Sequence, residues 1–125
     1  MTRFALTLAA VGLLAAGCGG NDRPGGTVTA PAGGTVRVTA KEYSFDPSTI
    51  VLPSAGTLRL RLDNRGTLAH NIKVEKDGRV LGGTPAFPAG ESRSATVRLP
   101  EGTYDFLCTV GDHAELGMKG KLKVG

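Results

Sequence analysis

Four residues with metal-binding side chains occur in the order His70, Cys108, His113 and Met118 along this chain of 125 residues. The two histidines are the only histidines in the sequence, and Cys108 is the only cysteine outside the N-terminal segment. A thiolate and a thioether suit Cu(I), whereas imidazole groups suit both Cu(I) and Cu(II). The residue types therefore favour one copper ion in an electron-transfer site, with three strong ligands and a weak axial Met118.

The residues around two of these ligands indicate where their side chains point. Cys108 shares one face of its segment with the apolar Tyr104 and Phe106, and His70 shares a face with Ile72. Both ligands are therefore expected to point inward at one end of a β-sandwich, where apolar walls keep water away from a metal. The short loop that starts at Cys108 is expected to bring the other two ligands over the same ion.

Polar residues directly follow both of the ligands that lie on predicted strands. Asn71 comes after His70, and Thr109 comes after Cys108. Groups that hydrogen-bond around a metal site orient its ligands and tune the metal. We therefore predict a side-chain hydrogen bond between Asn71 and Thr109 that links the two ligand segments.

Most segments after residue 35 alternate apolar and polar residues with a period of two, and no segment has a sustained helical period. Turn residues separate these segments. The turn signals are Asp46-Pro47-Ser48, Pro53-Ser54-Ala55-Gly56, Asn64-Arg65-Gly66, Asp77-Gly78 and Pro100-Glu101-Gly102. This pattern predicts an all-β sandwich or small barrel. Residues 79–92 are the least regular, and we expect a long surface connection there with one short strand at most.

Over residues 35–125 the chain resembles the cupredoxins, the plastocyanin and azurin family of blue-copper proteins. The motifs that carry the resemblance are Tyr43-Ser44-Phe45-Asp46-Pro47, His70-Asn71, Gly102-Thr103-Tyr104-Asp105-Phe106-Leu107-Cys108 and the loop from Cys108 to Met118. The resemblance implies a Greek-key β-sandwich of about seven to eight strands. It also implies strong copper bonds from His70, Cys108 and His113 and a weak axial bond from Met118.

The resemblance adds one contact and leaves the subfamily open. It places the backbone carbonyl of Ala69 where azurins offer a further weak contact to copper. The interval from Cys108 to His113 is that of azurin, whereas the interval from His113 to Met118 is that of plastocyanin. The mixed loop does not decide the subfamily or the reduction potential.

The start of the chain has the features of a secretory signal peptide. Arg3 supplies a positive charge, and Phe4 to Leu14 form an apolar stretch too short to span a bilayer. Ala15-Ala16-Gly17 offers a small-residue cleavage site, and the segment ending in Cys18 resembles a bacterial lipobox, in which the cysteine is lipidated. We therefore expect a signal peptide over residues 1–17 and a protein anchored by lipid on the outer side of the cytoplasmic membrane. Ordinary secretion is the alternative.

Residues 18–34 join the predicted anchor to the rest of the chain. The segment is rich in Gly, Pro and Thr and lacks apolar periodicity, so we expect a flexible tether between a lipidated Cys18 and a folded domain over residues 35–125. In that case Cys108 would be a free thiol in an oxidising compartment. A bound metal would protect this thiol, because the sulfur would then be a metal ligand.

Composition and ligand number limit the classes of function. The formal net charge of +4 is mild, the signs are mixed and tryptophan is absent, which argues against nucleic acid as a partner. Copper oxidases and nitrite reductases need further histidines for additional copper centres, and this chain has no histidines beyond His70 and His113. We therefore expect a monomer that is not an enzyme and that exchanges electrons with redox protein partners.

Each of the four residues could also have an ordinary structural role, and the metal could be other than an electron-transfer copper. Taken alone, Cys108 and Met118 could simply fill the core. His70 could be a hydrogen-bonded residue of a strand, and His113 could be a solvent-exposed residue of a loop. Zinc would accept the thiolate and the imidazoles, although a thioether is a poor zinc ligand. A protein that scavenges or delivers copper would use the same ligands as an electron carrier.

Overall fold

The computed structural model describes residues 25–125, and all of the regular secondary structure in this range is β-strand. The strand bounds are β1 (Thr27–Thr29), β2 (Thr35–Lys41), β3 (Ser44–Asp46), β4 (Thr49–Leu52), β5 (Gly56–Asn64), β6 (Lys73–Lys76), β7 (Arg79–Gly83), β8 (Ser92–Leu99), β9 (Gly102–Leu107) and β10 (Lys119–Val124). A six-stranded sheet has the order β1-β4-β10-β9-β6-β7, and a four-stranded sheet has the order β3-β2-β5-β8. Both sheets mix parallel and antiparallel pairs.

The two sheets confirm the predicted all-β fold, but they contain more strands than the seven or eight expected. The apolar run that starts at Val36 forms two strands, because the chain turns at Glu42 and Tyr43 and β3 pairs back on β2. The irregular segment 79–92 contributes the one short strand that was allowed there, β7, which pairs with β6. A further strand, β1, comes from the segment predicted to be a tether.

The β-sheet begins earlier in the chain than predicted, at β1. β1 pairs in parallel with β4, in a register that sets Thr27 opposite Thr49 and Thr29 opposite Val51. The ordered sheet therefore begins before the expected boundary at residue 35. The predicted signal peptide and the predicted lipidation of Cys18 lie outside the described residues. Within residues 25–125, no helix is long and apolar enough to cross a membrane.

One apolar core fills the space between the sheets. The alternation in the sequence reappears as burial, since Leu58, Leu60 and Leu62 of β5 are buried whereas Arg59 and Arg61 are exposed. Facing residues from the other strands complete the core, among them Val36, Val38, Phe45, Ile50, Leu52, Val74, Val97, Leu99, Tyr104, Phe106, Leu122 and Val124. Burial of this apolar surface is the main term that holds the two sheets together.

Strand register brings the predicted metal ligands to one end of the six-stranded sheet. Leu107, at the end of β9, pairs with Lys73 at the start of β6 and with Lys119 at the start of β10. Because β9 is antiparallel to both neighbours, the segments that precede β6, follow β9 and precede β10 meet at this end. All four predicted ligands belong to these segments.

Asp63, near the end of β5, is a largely buried carboxylate with three partners. It accepts hydrogen bonds from Ser92 Oγ at 2.6 Å and from Arg61 Nε at 3.1 Å, and it forms an ion pair with Arg37 at 3.3 Å. The hydrogen bond from Ser92, assisted by Arg61 and Arg37, lowers the pKa of Asp63 below its ordinary value of 3.8.

We expect Asp63→Asn to lower the free energy of unfolding at neutral pH by about 1.5 kcal/mol, the contribution of a hydrogen bond to a charged group. A carboxylate with a lowered pKa stabilises the fold above its unfolded-state pKa, and the contribution disappears as the pH falls through the folded-state pKa. Urea unfolding should therefore show a difference between wild type and variant that shrinks below about pH 4. A difference independent of pH would contradict this role.

Candidate metal centre

The loop between β9 and β10 carries three of the four predicted ligands. The backbone N–H of Cys108 donates to the carbonyl of Met118, and that of Met118 donates to the carbonyl of His113, both at 3.1 Å. The N–H of His113 donates to the carbonyl of Val110, also at 3.1 Å. These bonds close the loop on itself, so it fixes the three side chains relative to one another.

The fourth predicted ligand, His70, is held by the segment that was expected to be a surface connection. His70 does not lie within a strand as predicted, but forms an isolated antiparallel bridge with Phe87, with N···O distances of 3.2 and 3.1 Å. Thr84 extends this contact by bonding both the N–H and the carbonyl of Ile72. Phe87 and Thr84 are buried. Segment 79–92 therefore positions a predicted ligand and is not only a surface connection.

The predicted link between Asn71 and Thr109 is present as two hydrogen bonds. Asn71 Nδ2 donates to Thr109 Oγ1 at 2.7 Å, and the N–H of Thr109 donates to Asn71 Oδ1, also at 2.7 Å. The two residues directly follow His70 and Cys108, so these bonds fix the spacing of the two ligand segments.

Three donor atoms converge at this end of the sandwich. Cys108 Sγ lies 3.6 Å from His113 Nδ1 and 3.9 Å from His70 Nδ1. The donor atoms of the three residues all lie within 4.8 Å of one another. Cys108 and His70 are completely buried, whereas His113 is 7% exposed.

The spacing of these donors fits one metal ion. If one metal ion lay in the plane of the three donors, with bonds of about 2.3 Å to sulfur and about 2.0 Å to nitrogen, the sulfur would lie about 3.7 Å from each nitrogen. The observed separations of 3.6 and 3.9 Å lie on either side of that value. A thiolate and two imidazoles suit copper and do not suit Mg²⁺ or Ca²⁺. Within residues 25–125 no second group of His, Cys, Asp and Glu side chains is gathered in this way.

Met118 is hydrogen-bonded through its backbone to two of the residues that carry these donors, Cys108 and His113. It is completely buried. A thioether at this position matches the weak axial ligand of an electron-transfer copper site. The contact predicted for the carbonyl of Ala69, which immediately precedes His70, stays a prediction.

Glu42 also belongs to the site, although no motif in the sequence marks it. Its Oε1 lies 3.1 Å from His70 Nε2 and accepts hydrogen bonds from the N–H groups of Thr67 at 2.7 Å and Leu68 at 2.9 Å. The hydrogen bonds from Leu68 and Thr67 lower the pKa of Glu42 to about 2. Glu42 and His70 are 28 residues apart, so only the folded chain reveals the contact.

The surface near the ligands mixes apolar and acidic residues. Leu68, two residues before His70, is 43% exposed, and Leu116, in the loop between β9 and β10, is 52% exposed. Asp112 and Glu115 of the same loop are exposed as well. A partner that meets this surface therefore encounters apolar side chains together with negative charge.

A two-sheet β-sandwich with a thiolate, two imidazoles and a thioether at one end defines a class of copper-binding proteins. The family model of the Cupredoxin-like domain matches residues 6–124, so the chain belongs to the cupredoxin-like family. The resemblance inferred from the motifs is confirmed. The four residues His70, Cys108, His113 and Met118 are arranged as a blue-copper site, consistent with one copper ion.

Several solved structures share the fold. Auracyanin B is 27% identical, with a TM-score of 0.68 over 78% of this chain and 93% of its own. Reduced rusticyanin is 25% identical, with a TM-score of 0.65 over 79% of this chain and 84% of its own. Auracyanin A, a "blue" copper protein from the photosynthetic bacterium Chloroflexus aurantiacus, is 22% identical, with a TM-score of 0.65 over 77% of this chain and 100% of its own. At this identity the likeness supports the shared fold and nothing further. No curated protein matches the sequence.

Proposed function

We propose that this protein is an extracytoplasmic one-electron carrier that holds a single copper ion between His70, Cys108, His113 and an axial Met118. The observation that carries the proposal is the position of Cys108 Sγ, at 3.6 and 3.9 Å from the Nδ1 atoms of two histidines. When bound, copper supplies one-electron chemistry, because it is stable as Cu(I) and as Cu(II).

The chain holds its ligands in place by backbone bonds, which keeps rearrangement during electron transfer small. Cys108, His113 and Met118 are joined within one loop, and the bridge to Phe87 holds His70. Because the same contacts are available in both oxidation states, the ligands have little reason to move when an electron arrives. The complete burial of Cys108 and His70 also keeps water away from the donors.

His113 offers the shortest way for electrons to reach the surface. It is 7% exposed, whereas Cys108 and His70 are not exposed at all. We propose that redox protein partners dock beside His113 on the exposed Leu68 and Leu116. Charges at such a surface steer encounter and select partners.

The proposed location depends on the N-terminal sequence. A signal peptide over residues 1–17 and a lipid on Cys18 would hold the protein, as a monomer, on the outer side of the cytoplasmic membrane. Because β1 starts at Thr27, the link to the lipid is shorter than the whole segment 18–34. Fully extended, residues 18–26 would span about 30 Å, so the domain would stay close to the membrane.

Redox cycling in the presence of a Cu(I) chelator separates an electron carrier from a copper-delivery protein. The copper-loaded protein would be reduced and reoxidised repeatedly with small redox reagents while its copper content and visible spectrum are recorded. We expect one copper per protein and a fully recovered spectrum after each cycle. Loss of copper to the chelator at the first reduction would contradict the proposal and favour delivery of copper by the same ligands.

Met118→Leu is expected to leave the colour of the Cu(II) protein and to raise its reduction potential. Leucine has a similar volume but donates no electrons to the metal. Loss of an electron donor destabilises the more highly charged Cu(II) more than Cu(I), although a thioether is compatible with both. Voltammetry should show a rise of at least about 60 mV, which is a tenfold change for a one-electron couple. An unchanged potential would show that the thioether of Met118 does not act on the metal.

A further inference from the structure

The carboxylate of Glu42 is enclosed by the loop that leads to His70. Its Oε1 accepts hydrogen bonds from the N–H groups of Thr67 and Leu68 and lies 3.1 Å from His70 Nε2. The loop passes so closely that a Cβ atom on Gly66 would clash with Oε1. The side chain of His70 is completely buried, whereas that of Glu42 is 25% exposed.

The two ring nitrogens of His70 face different partners. Nδ1 faces Cys108 Sγ at 3.9 Å, and Nε2 faces Glu42 Oε1. An ionised carboxylate only accepts hydrogen bonds, so a neutral imidazole satisfies this contact by donating from Nε2. The lone pair of Nδ1 is then free on the side of Cys108, which is the state in which an imidazole binds a metal.

His113 is placed differently. Its Nδ1 faces Cys108 Sγ at 3.6 Å, and its ring packs against that of Tyr43 with centroids 5.0 Å apart. In the part of the chain that the structure describes, no carboxylate oxygen lies within 4.0 Å of a ring nitrogen of His113. His70, in contrast, has Glu42 Oε1 at 3.1 Å from Nε2. A carboxylate therefore acts on one of the two histidines and not on the other.

We propose that Glu42 is a positioning residue of the copper site, which holds His70 as the Nε2–H tautomer and favours Cu(II) over Cu(I). This proposal rests on the proposed function and deepens it. A negative charge on the far side of the imidazole stabilises the more highly charged metal ion more strongly. Groups that orient a metal-binding histidine in this way commonly change metal affinity by about 10–100-fold.

Two substitutions separate the hydrogen bond from the charge. Glu42→Gln keeps an oxygen that accepts hydrogen bonds but removes the charge, whereas Glu42→Ala removes both. Glu115→Gln is the matched control, because it removes the same charge from an exposed position in the loop that carries His113.

The reduction potential of the copper-loaded full chain tests the charge. We expect Glu42→Gln to weaken the preference for Cu(II) about tenfold, which raises the potential by about 59 mV for a one-electron couple. Glu115→Gln should keep the wild-type potential. If Glu42→Gln also keeps the wild-type potential, the proposal is wrong.

Nitrogen-15 NMR of His70 in the copper-free chain tests the tautomer without any metal. The wild type and Glu42→Gln should carry the proton on Nε2, and Glu42→Ala should show a mixture of tautomers. A wild-type proton on Nδ1, or an unchanged tautomer in Glu42→Ala, would overturn the proposal. Failure of the wild type to bind copper would instead overturn the proposed function, while the tautomer still decides the role of Glu42. If Glu42→Ala does not fold, Glu42→Gln decides the question.

Discussion

Replacing Cys108 with serine is expected to abolish the visible colour of the Cu(II)-loaded protein. The colour of such a site comes from charge transfer between the thiolate and Cu(II), and a serine hydroxyl offers no soft sulfur to supply it. Serine is close to cysteine in size, so the completely buried position can accept it with the β-sandwich intact. Visible absorption spectra of wild type and Cys108→Ser, each with one equivalent of Cu(II), measure the effect.

Met118→Leu is a suitable control for this experiment. Met118 is buried in the same loop as Cys108, and its backbone is bonded to that residue. The control should keep the intense band, whereas Cys108→Ser should lack it, and circular dichroism should show β-structure in both. A band of wild-type intensity in Cys108→Ser would mean that copper binds elsewhere.

The largest loss of stability is expected for Phe106→Ala. Phe106 is completely buried on the strand that leads to Cys108, and its ring packs against that of Phe45 with centroids 5.6 Å apart. Removing a buried phenylalanine ring costs about 3–5 kcal/mol, because apolar contacts are lost and a cavity remains. Small domains have a total stability of about 5–15 kcal/mol, so the copper-free variant should be close to unfolding.

Denaturant unfolding of the copper-free protein measures this loss. Leu116→Ala serves as the control, since it removes an apolar side chain that is 52% exposed and should change the free energy of unfolding by less than about 0.5 kcal/mol. A loss below about 1 kcal/mol for Phe106→Ala would show that the core does not depend on this ring.

The convergence of the four candidate ligands could be predicted because their chemistry and local pattern appear in the sequence itself. Cys108 follows Tyr104 and Phe106 with a period of two, and burial of all three confirms the shared inner face. The link between Asn71 and Thr109 was predictable for a similar reason, because each residue is the chain neighbour of a ligand. In both cases the pattern is local. When one face of a segment is buried, the alternation along the sequence determines which side chains point into the core.

The contacts that were missed join residues far apart in the chain. Phe87 bridges His70 from an irregular segment, and Glu42 reaches His70 from the turn between β2 and β3. Neither contact can be inferred from the alternation of apolar and polar residues. Both contacts depend on which loops the order of the strands brings to one end of the sandwich. β1 was missed for another reason: its three residues, Thr27–Thr29, are all exposed and show no apolar face.

Diffraction from copper-loaded crystals, with anomalous data collected at the copper absorption edge, tests the central claim most directly. We expect one copper peak per protein, bonded to Cys108 Sγ and to the Nδ1 atoms of His70 and His113, with Met118 on the axial side. A copper ion elsewhere on the protein, or no ordered copper between these three donors, would contradict the proposed site.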